Sequence, residues 1–320
     1  MPAEGGASTL RLPRLLNAGI DRAARRLLDT AGPRVDFAQP AGEPGLVGAD
    51  SVSWRVFKNP VSLFIGGVAA VILELADPRV RSGVWEHSSF RSDPVNRLQR
   101  TGLAAMVTVY GARSTAEAMI AGVVRRHEAI TGATPAGEAY GANDAELLDW
   151  VQATACFGFA EAYNRYVRPL SRAELDRYFD EAGAAAALYG ATGAPASAAG
   201  WETLLESRHD RLEASPIIFE FLEIMRTAPV FPAPLRPVQA LLVAAAVEIT
   251  PAWVRERLGL SRRQGLRAPQ RALVRQAGRW SDRIVLPSSP AVQSCLRLGL
   301  PPDYLYRRKE GGPRARPLGF

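Results

Sequence analysis

Arg97, Arg100, Thr101 and, further along, His127 are the residues whose types and spacing could carry chemistry in this 320-residue chain. The stretch that holds them, residues 86 to 132, spells two helices. Asp93 followed by Pro94 supplies an N-cap and a residue pre-set for the first helical position. That helix is expected to run to about Tyr110 and stop at Gly111. Ser114 with Glu117 three residues on reads as a capping box for a second helix, which Gly132 would end. On the first helix Arg97, Thr101, Ala104 and Thr108 share one stripe with Arg100 beside it, while Leu98, Ala105, Met106 and Val109 make a separate apolar face. Cations so near a helix N-terminus are disfavoured by about 0.3–1 kcal/mol each. Two readings stay open here. One is a pair of solvated arginines beside a packing face; the other is a polar cluster turned towards an anion, a cofactor or a bound oxygen species.

On the second helix Met119, Ile120, Val123, Val124, His127 and Ile130 fall on one face, so His127 sits among apolar residues near the helix end. A lone histidine there is either a core residue bonded to a carbonyl or a neutral imidazole that ligates iron in an apolar slot. Spacing does not separate the two. The helix before this region, Pro60 to Ala76, is apolar almost all round, as buried helices are. Its Gly66 and Gly67 permit close approach of either a neighbour or a flat ligand. Val80 to Phe90 reads as an irregular bridge carrying His87, a secondary polar candidate, and His209 reads as exposed.

The order and identity of Asp93-Pro94, Arg97-Leu98-x-Arg100-Thr101, Tyr110-Gly111, His127 with Gly132, Tyr140 and Leu147-Leu148-x-Trp150 resemble the rubber-oxygenase family, also called the MpaB-type oxygenases. The likeness runs over about residues 55 to 260. It implies an all-α fold, a globin-like helical bundle around a buried haem b pocket. It implies His127 as the axial iron ligand, with Arg97 and Thr101 on the distal side. Arg100 stands where latex-cleaving members carry a lysine, and a guanidinium is a very poor metal ligand. The family's histidine-proline pair is Asp77-Pro78 here. Glu74 and Glu86 are nearby carboxylates, and the resemblance assigns neither as a base. With haem on His127, Arg113 and Arg126 are expected to pair with its propionates. The implied activity is haem-dependent oxidation of a small apolar substrate with dioxygen, such as cleavage of a carbon–carbon double bond in an isoprenoid. Peroxidation or hydroxylation at the same cofactor stays open, as does a cofactor-free helical binding module.

Length and composition agree with a soluble globular chain of 47% apolar and 22% charged residues, long enough to enclose a cofactor. Two cysteines, Cys156 and Cys295, are too few for a disulfide framework and read as buried thiols of a reducing compartment. The N-terminal stretch has no apolar core of signal-peptide length, and the apolar runs Val61–Leu73 and Val238–Val247 fall short of a bilayer crossing. The expected location is cytoplasmic. From Arg255 onward there are 15 basic and 4 acidic residues, net +11, against net −4 for the rest. This basic end reads as a solvated surface, with peripheral contact to an anionic membrane as the alternative and no nucleic acid expected. The expected organisation is an N-terminal extension and Pro/Gly-rich connector over 1–50, a helical catalytic domain over 51–280, and a basic Pro/Arg-rich tail over 281–320. No segment alternates for long enough to predict a strand.

Overall fold

The computed structural model describes Asp21 and residues 35–307. Apart from Asp21, the amphipathic stretch expected over Leu10–Leu28 lies outside the described residues, as does the end of the basic tail. The chain opens with α1 (Val52–Phe57), α2 (Pro60–Glu74) and α3 (Pro78–His87). Asn59 caps α2 by accepting from the Val61 and Ser62 amides, with Pro60 at the first helical position. Asp77 does the same for α3, accepting from Arg79 and Val80 ahead of Pro78. The bridge expected over Val80–Phe90 is therefore mostly helix. Its cap, rather than any apolar periodicity, declares it, and α2 and α3 meet at a bend of 113°.

Next come α4 (Pro94–Tyr110) and α5 (Arg113–His127), followed by an antiparallel hairpin of β1 (Thr131–Ala133) and β2 (Ala139–Gly141). Asp93 caps α4 and Gly111 ends it, as the sequence predicts. The start of α5 differs. Ala112 occupies its cap position, and the Ser114 amide and hydroxyl donate instead to Glu43, at 2.6 and 2.9 Å. Its end differs too. The helix stops at His127, and Gly132 lies in β1, where an added Cβ would come within 2.5 Å of the Tyr140 hydroxyl.

The remaining helices are α6 (Ala145–Tyr166), α7 (Arg172–Glu181), α8 (Gly183–Tyr189), α9 (Ala198–Ser207), α10 (Pro216–Thr227), α11 (Arg236–Ile249), α12 (Ala252–Arg257), α13 (Ala268–Ser281) and α14 (Pro290–Arg297). The capping box of Ser171 and Glu174 forms at α7 as expected. Asp144, rather than Asn143, stands at the N-cap of α6. The fold is all-α. Among the described residues the hairpin is the only sheet, and no single helix is long and apolar enough to cross a membrane.

The core is built on α2 crossing α6. A Cβ at Gly66 would sit 2.7 Å from the Gly158 carbonyl oxygen, and one at Gly158 would sit 2.4 Å from that of Gly66, so the backbones touch. Gly67 is different: an added methyl meets only a Phe159 ring carbon, at 3.8 Å. Gly66→Ala is accordingly expected to cost about 1–3 kcal/mol by forcing the helices apart. Gly67→Ala is expected to gain about 0.5–1 kcal/mol from helix propensity. Urea unfolding of the two variants checks this, and equal stabilities would refute the close crossing. Around this axis Trp54, Trp150, Tyr110 and Tyr163 are fully buried. The Tyr110 hydroxyl donates to the Trp54 carbonyl at 2.6 Å and the Trp150 indole to the Leu73 carbonyl at 3.2 Å, which satisfies their polar ends.

Part of the stretch expected as a tail is stitched to this body. Arg297 of α14 is 2% exposed and donates to the carbonyls of Phe37, Glu43 and Tyr110. Ser294 adds a bond to the Tyr110 carbonyl at 2.7 Å. These donors satisfy acceptors that the end of α4 would otherwise leave open. Further on, Tyr306 is buried with the Lys58 ammonium 4.6 Å from its ring centre, so this region does anchor through tyrosine.

Candidate functional site

Burial along α2 is not uniform. Ile65, Val68, Ala69, Ile72 and Leu73 are buried, whereas Phe64, Gly67, Val71 and Glu74, at helical spacing along one face, keep accessible surface. Within this stripe Phe64 lies against Phe231, with ring centres 5.3 Å apart, and Gly67 faces the Phe159 ring. The backbones of α4 and α5 stay more than 8 Å from that of α2 over nearly all their lengths. Their Met106, Met119 and Val123 are only half-buried, and a Cβ added at Gly102 would meet nothing within 4 Å.

The Arg97 charge acts on two further titratable groups, Glu74 and His127. Glu74 is the last residue of α2, Arg97 lies near the start of α4, and His127 is the last residue of α5. Burial of the Glu74 carboxyl raises its pKa to about 7 against the pull of the Arg97 charge, although the residue as a whole is half-buried. Burial likewise lowers the pKa of Arg97; Glu74 opposes this and the Arg100 charge adds to it. The pKa of His127 is lowered, chiefly by burial; Asn143 opposes the shift, while the charges of Arg126 and Arg97 reinforce it. The imidazole is therefore neutral near pH 7, the form that carries a ligand lone pair. Its Nδ1 is buried and has no hydrogen-bond partner among the described residues.

The other expected residues take different places. Thr101 donates its hydroxyl proton to the Arg97 carbonyl at 2.8 Å and accepts from the Arg97 guanidinium, so it tethers that side chain. The Phe90 ring centre lies 6.0 Å from the guanidinium carbon of Arg97, a cation–π contact. Arg100 is exposed and reaches the Ser89 hydroxyl at 3.2 Å. Arg126 is exposed beside His127. Arg113 pairs with Glu117 at 3.6 Å at the start of α5, about 20 Å from His127 by helical rise, so it falls outside the cluster. Glu86 and His87 both bond the Tyr140 hydroxyl, each at 3.2 Å, and belong to the anchorage of the hairpin. His209 is exposed, as expected, and stacks on Trp253. Both cysteines are free and buried, with burial pushing Cys156 up to about 12 and Cys295 up to about 11. Among the described residues no three His, Cys, Asp or Glu side chains group as a protein-only metal centre.

Glu74 is the residue that sequence reasoning passed over. Its signal was there in outline: a carboxylate ending an otherwise apolar helix. Because its folded-state pKa lies above the usual 4.5, the folded chain holds an extra proton between about pH 4.5 and 7. Stability of the ligand-free chain is thus highest below that window and declines as pH rises through it, by about 3 kcal/mol in total. Glu74→Gln is expected to abolish most of this decline, which denaturant titrations at pH 5 and pH 8 measure. An unchanged slope would place the carboxyl in water.

The fold is all-helical, and at the candidate site a half-buried guanidinium acts on a neutral imidazole and on a carboxyl that titrates near neutrality. The family model described as "ER-bound oxygenase mpaB/B'/Rubber oxygenase, catalytic domain" matches residues 54–282, and the chain belongs to this oxygenase family. The match ends just after α13. Comparisons with curated proteins and with solved structures found no match.

Proposed function

We propose that this oxygenase holds haem b on His127 and uses dioxygen to cleave a carbon–carbon double bond of an apolar, isoprenoid-like substrate. The observation that carries the reading is that the Arg97 charge acts on both Glu74 and neutral His127, beside the half-buried stripe of α2 that we read as one wall of an apolar cleft. These residues suit the group: one neutral imidazole, open space beside Gly102, and the cations of Arg97 and Arg126 acting on that imidazole. When bound, haem supplies the iron centre at which dioxygen is activated.

The chain's own residues do the rest. His127 holds the cofactor through a ring nitrogen. Arg97, fixed by Thr101, presents guanidinium donors to negative charge that develops in the cleft, and in a dry site such donors are worth far more than in water. Glu74, titrating near 7, holds or accepts a proton beside Arg97. The α2 stripe seats apolar substrate and excludes water. The overall reaction balances without a reductant: one C=C bond and one dioxygen become two carbonyl groups, each carrying one oxygen atom. Two free, buried thiols support the cytoplasmic location expected from the sequence.

The test is an absorption spectrum of freshly purified protein, oxidised, reduced and with carbon monoxide. Incubation of a polyisoprenoid alkene under labelled dioxygen follows. A haem spectrum and two carbonyl fragments with one labelled oxygen each are expected. A haem spectrum with singly hydroxylated product would replace cleavage by hydroxylation, and no haem spectrum would sink the proposal.

A further inference from the structure

The ring of His127 is supported from an unexpected side. The residue stands at the very end of α5, where the last carbonyls have no helical partners. Its own carbonyl accepts from Ile130 at 2.9 Å, and the Ile130 carbonyl in turn accepts from Ala142 at 2.9 Å. The exit of the hairpin is thereby clamped to the end of the helix. Asn143, next in the chain, donates its side-chain Nδ2 to the Val124 carbonyl at 3.1 Å, one turn before His127. That bond sets which way the amide faces, because a flipped amide would turn its oxygen onto the Val124 oxygen.

With the amide so fixed, Asn143 Oδ1 is buried without a hydrogen-bond partner among the described residues, and so is His127 Nδ1. The amide stands close enough to the ring to stabilise its protonated form, although the two atoms are not aligned as a formed bond. One orphaned acceptor and one orphaned ring nitrogen thus sit on two interacting side chains, and each left alone is a cost to the fold.

We propose that Asn143 is the positioning residue of His127, its side-chain oxygen taking the Nδ1 proton and leaving Nε2 as the nitrogen that ligates. The assignment rests on the reading of His127 as the haem ligand. It adds which nitrogen is presented and what holds the ring plane. Ligating histidines commonly need such an outer acceptor to fix tautomer and orientation. A neutral amide oxygen pulls on the Nδ1 proton less than a carboxylate would, so the ligand keeps the character of neutral imidazole.

The experiment compares wild type, Asn143→Leu and Asn143→Asp with two readouts. In the haem-free chain, the ring nitrogens of His127 are followed by nitrogen NMR and assigned by their loss in His127→Ala. Wild type is expected to show the Nδ1-protonated tautomer, and Asn143→Leu a shift towards the Nε2-protonated one. In the haem-loaded protein, Asn143→Leu is expected to speed haem loss by about 10–100-fold and to lower the ferrous iron–histidine stretching frequency. Asn143→Asp keeps an acceptor for the ring but loses the donor to the Val124 carbonyl, so a folded variant is expected to raise that frequency above wild type while retaining haem better than Asn143→Leu and less well than wild type. An unchanged tautomer, or an unchanged stretch in a folded Asn143→Leu protein, overturns the proposal. If wild type binds no haem, the reading of the cofactor fails, yet the tautomer comparison still decides whether Asn143 holds the ring.

Discussion

Replacing His127 with alanine is expected to remove the Soret band from the purified protein and bring dioxygen-dependent turnover down to background while leaving the fold intact. The reason lies in the difference between what His127 does for stability and what it does for the ligand. The residue is half-buried at the last position of α5, and its Nδ1 makes no hydrogen bond among the described residues. Truncation removes little packing and relieves an unsatisfied nitrogen, so unfolding free energy should change by about 1 kcal/mol or less. Added imidazole, entering the space left behind, is expected to return part of the band. Spectra and denaturant curves on the same preparation make the comparison. A full Soret band in the variant would show that His127 is core packing and that the oxygenase chemistry sits elsewhere.

The second large effect belongs to Arg97. Arg97→Met keeps the length and the apolar stem but removes the charge that faces Glu74 and the developing charge in the cleft. Turnover is expected to fall by about 10²–10³-fold, the usual cost of losing one preorganised donor, with the haem spectrum retained. The pKa of Glu74 should rise at the same time, since Arg97 is what pulls it down. The acid limb of the pH–rate profile would then move to higher pH. Arg100→Met serves as the comparison. That side chain is exposed and bonds Ser89 outside the cleft, so its removal should cost less than about tenfold. Single-turnover rates of the two variants decide the matter. Equal losses would mean that the cleft does not distinguish the enclosed guanidinium from the exposed one.

The termini of many elements could be read from the sequence because caps act between near neighbours. Asp93-Pro94, Gly111, the Ser171–Glu174 box and Pro216 all do in the fold what their local chemistry dictates. Where local chemistry misled, a partner from far along the chain had intervened. Ser114 is claimed by Glu43, 71 residues away, so the capping box with Glu117 never forms. Gly132 was readable as a helix stop, but the Tyr140 ring needs its missing side chain in a hairpin too short to show alternation.

The candidate site divides along the same line. His127, Arg97 and Thr101 could be named from motif order, and helical spacing already grouped the last two. Sequence also showed two adjacent glycines in α2 without distinguishing them. Tertiary packing gives Gly66 to the backbone crossing with α6 and sets Gly67 against the Phe159 ring. Only the folded chain decides that Glu74 belongs with Arg97, that Arg100 and Arg113 do not enter the cluster, and that the Asn143 side chain acts on the histidine. Residue type and spacing follow from covalent neighbours, and so the chain alone determined which side chains could do chemistry. Burial, charge proximity and the resulting proton affinities depend on what other helices bring alongside, and these were settled only by the tertiary packing.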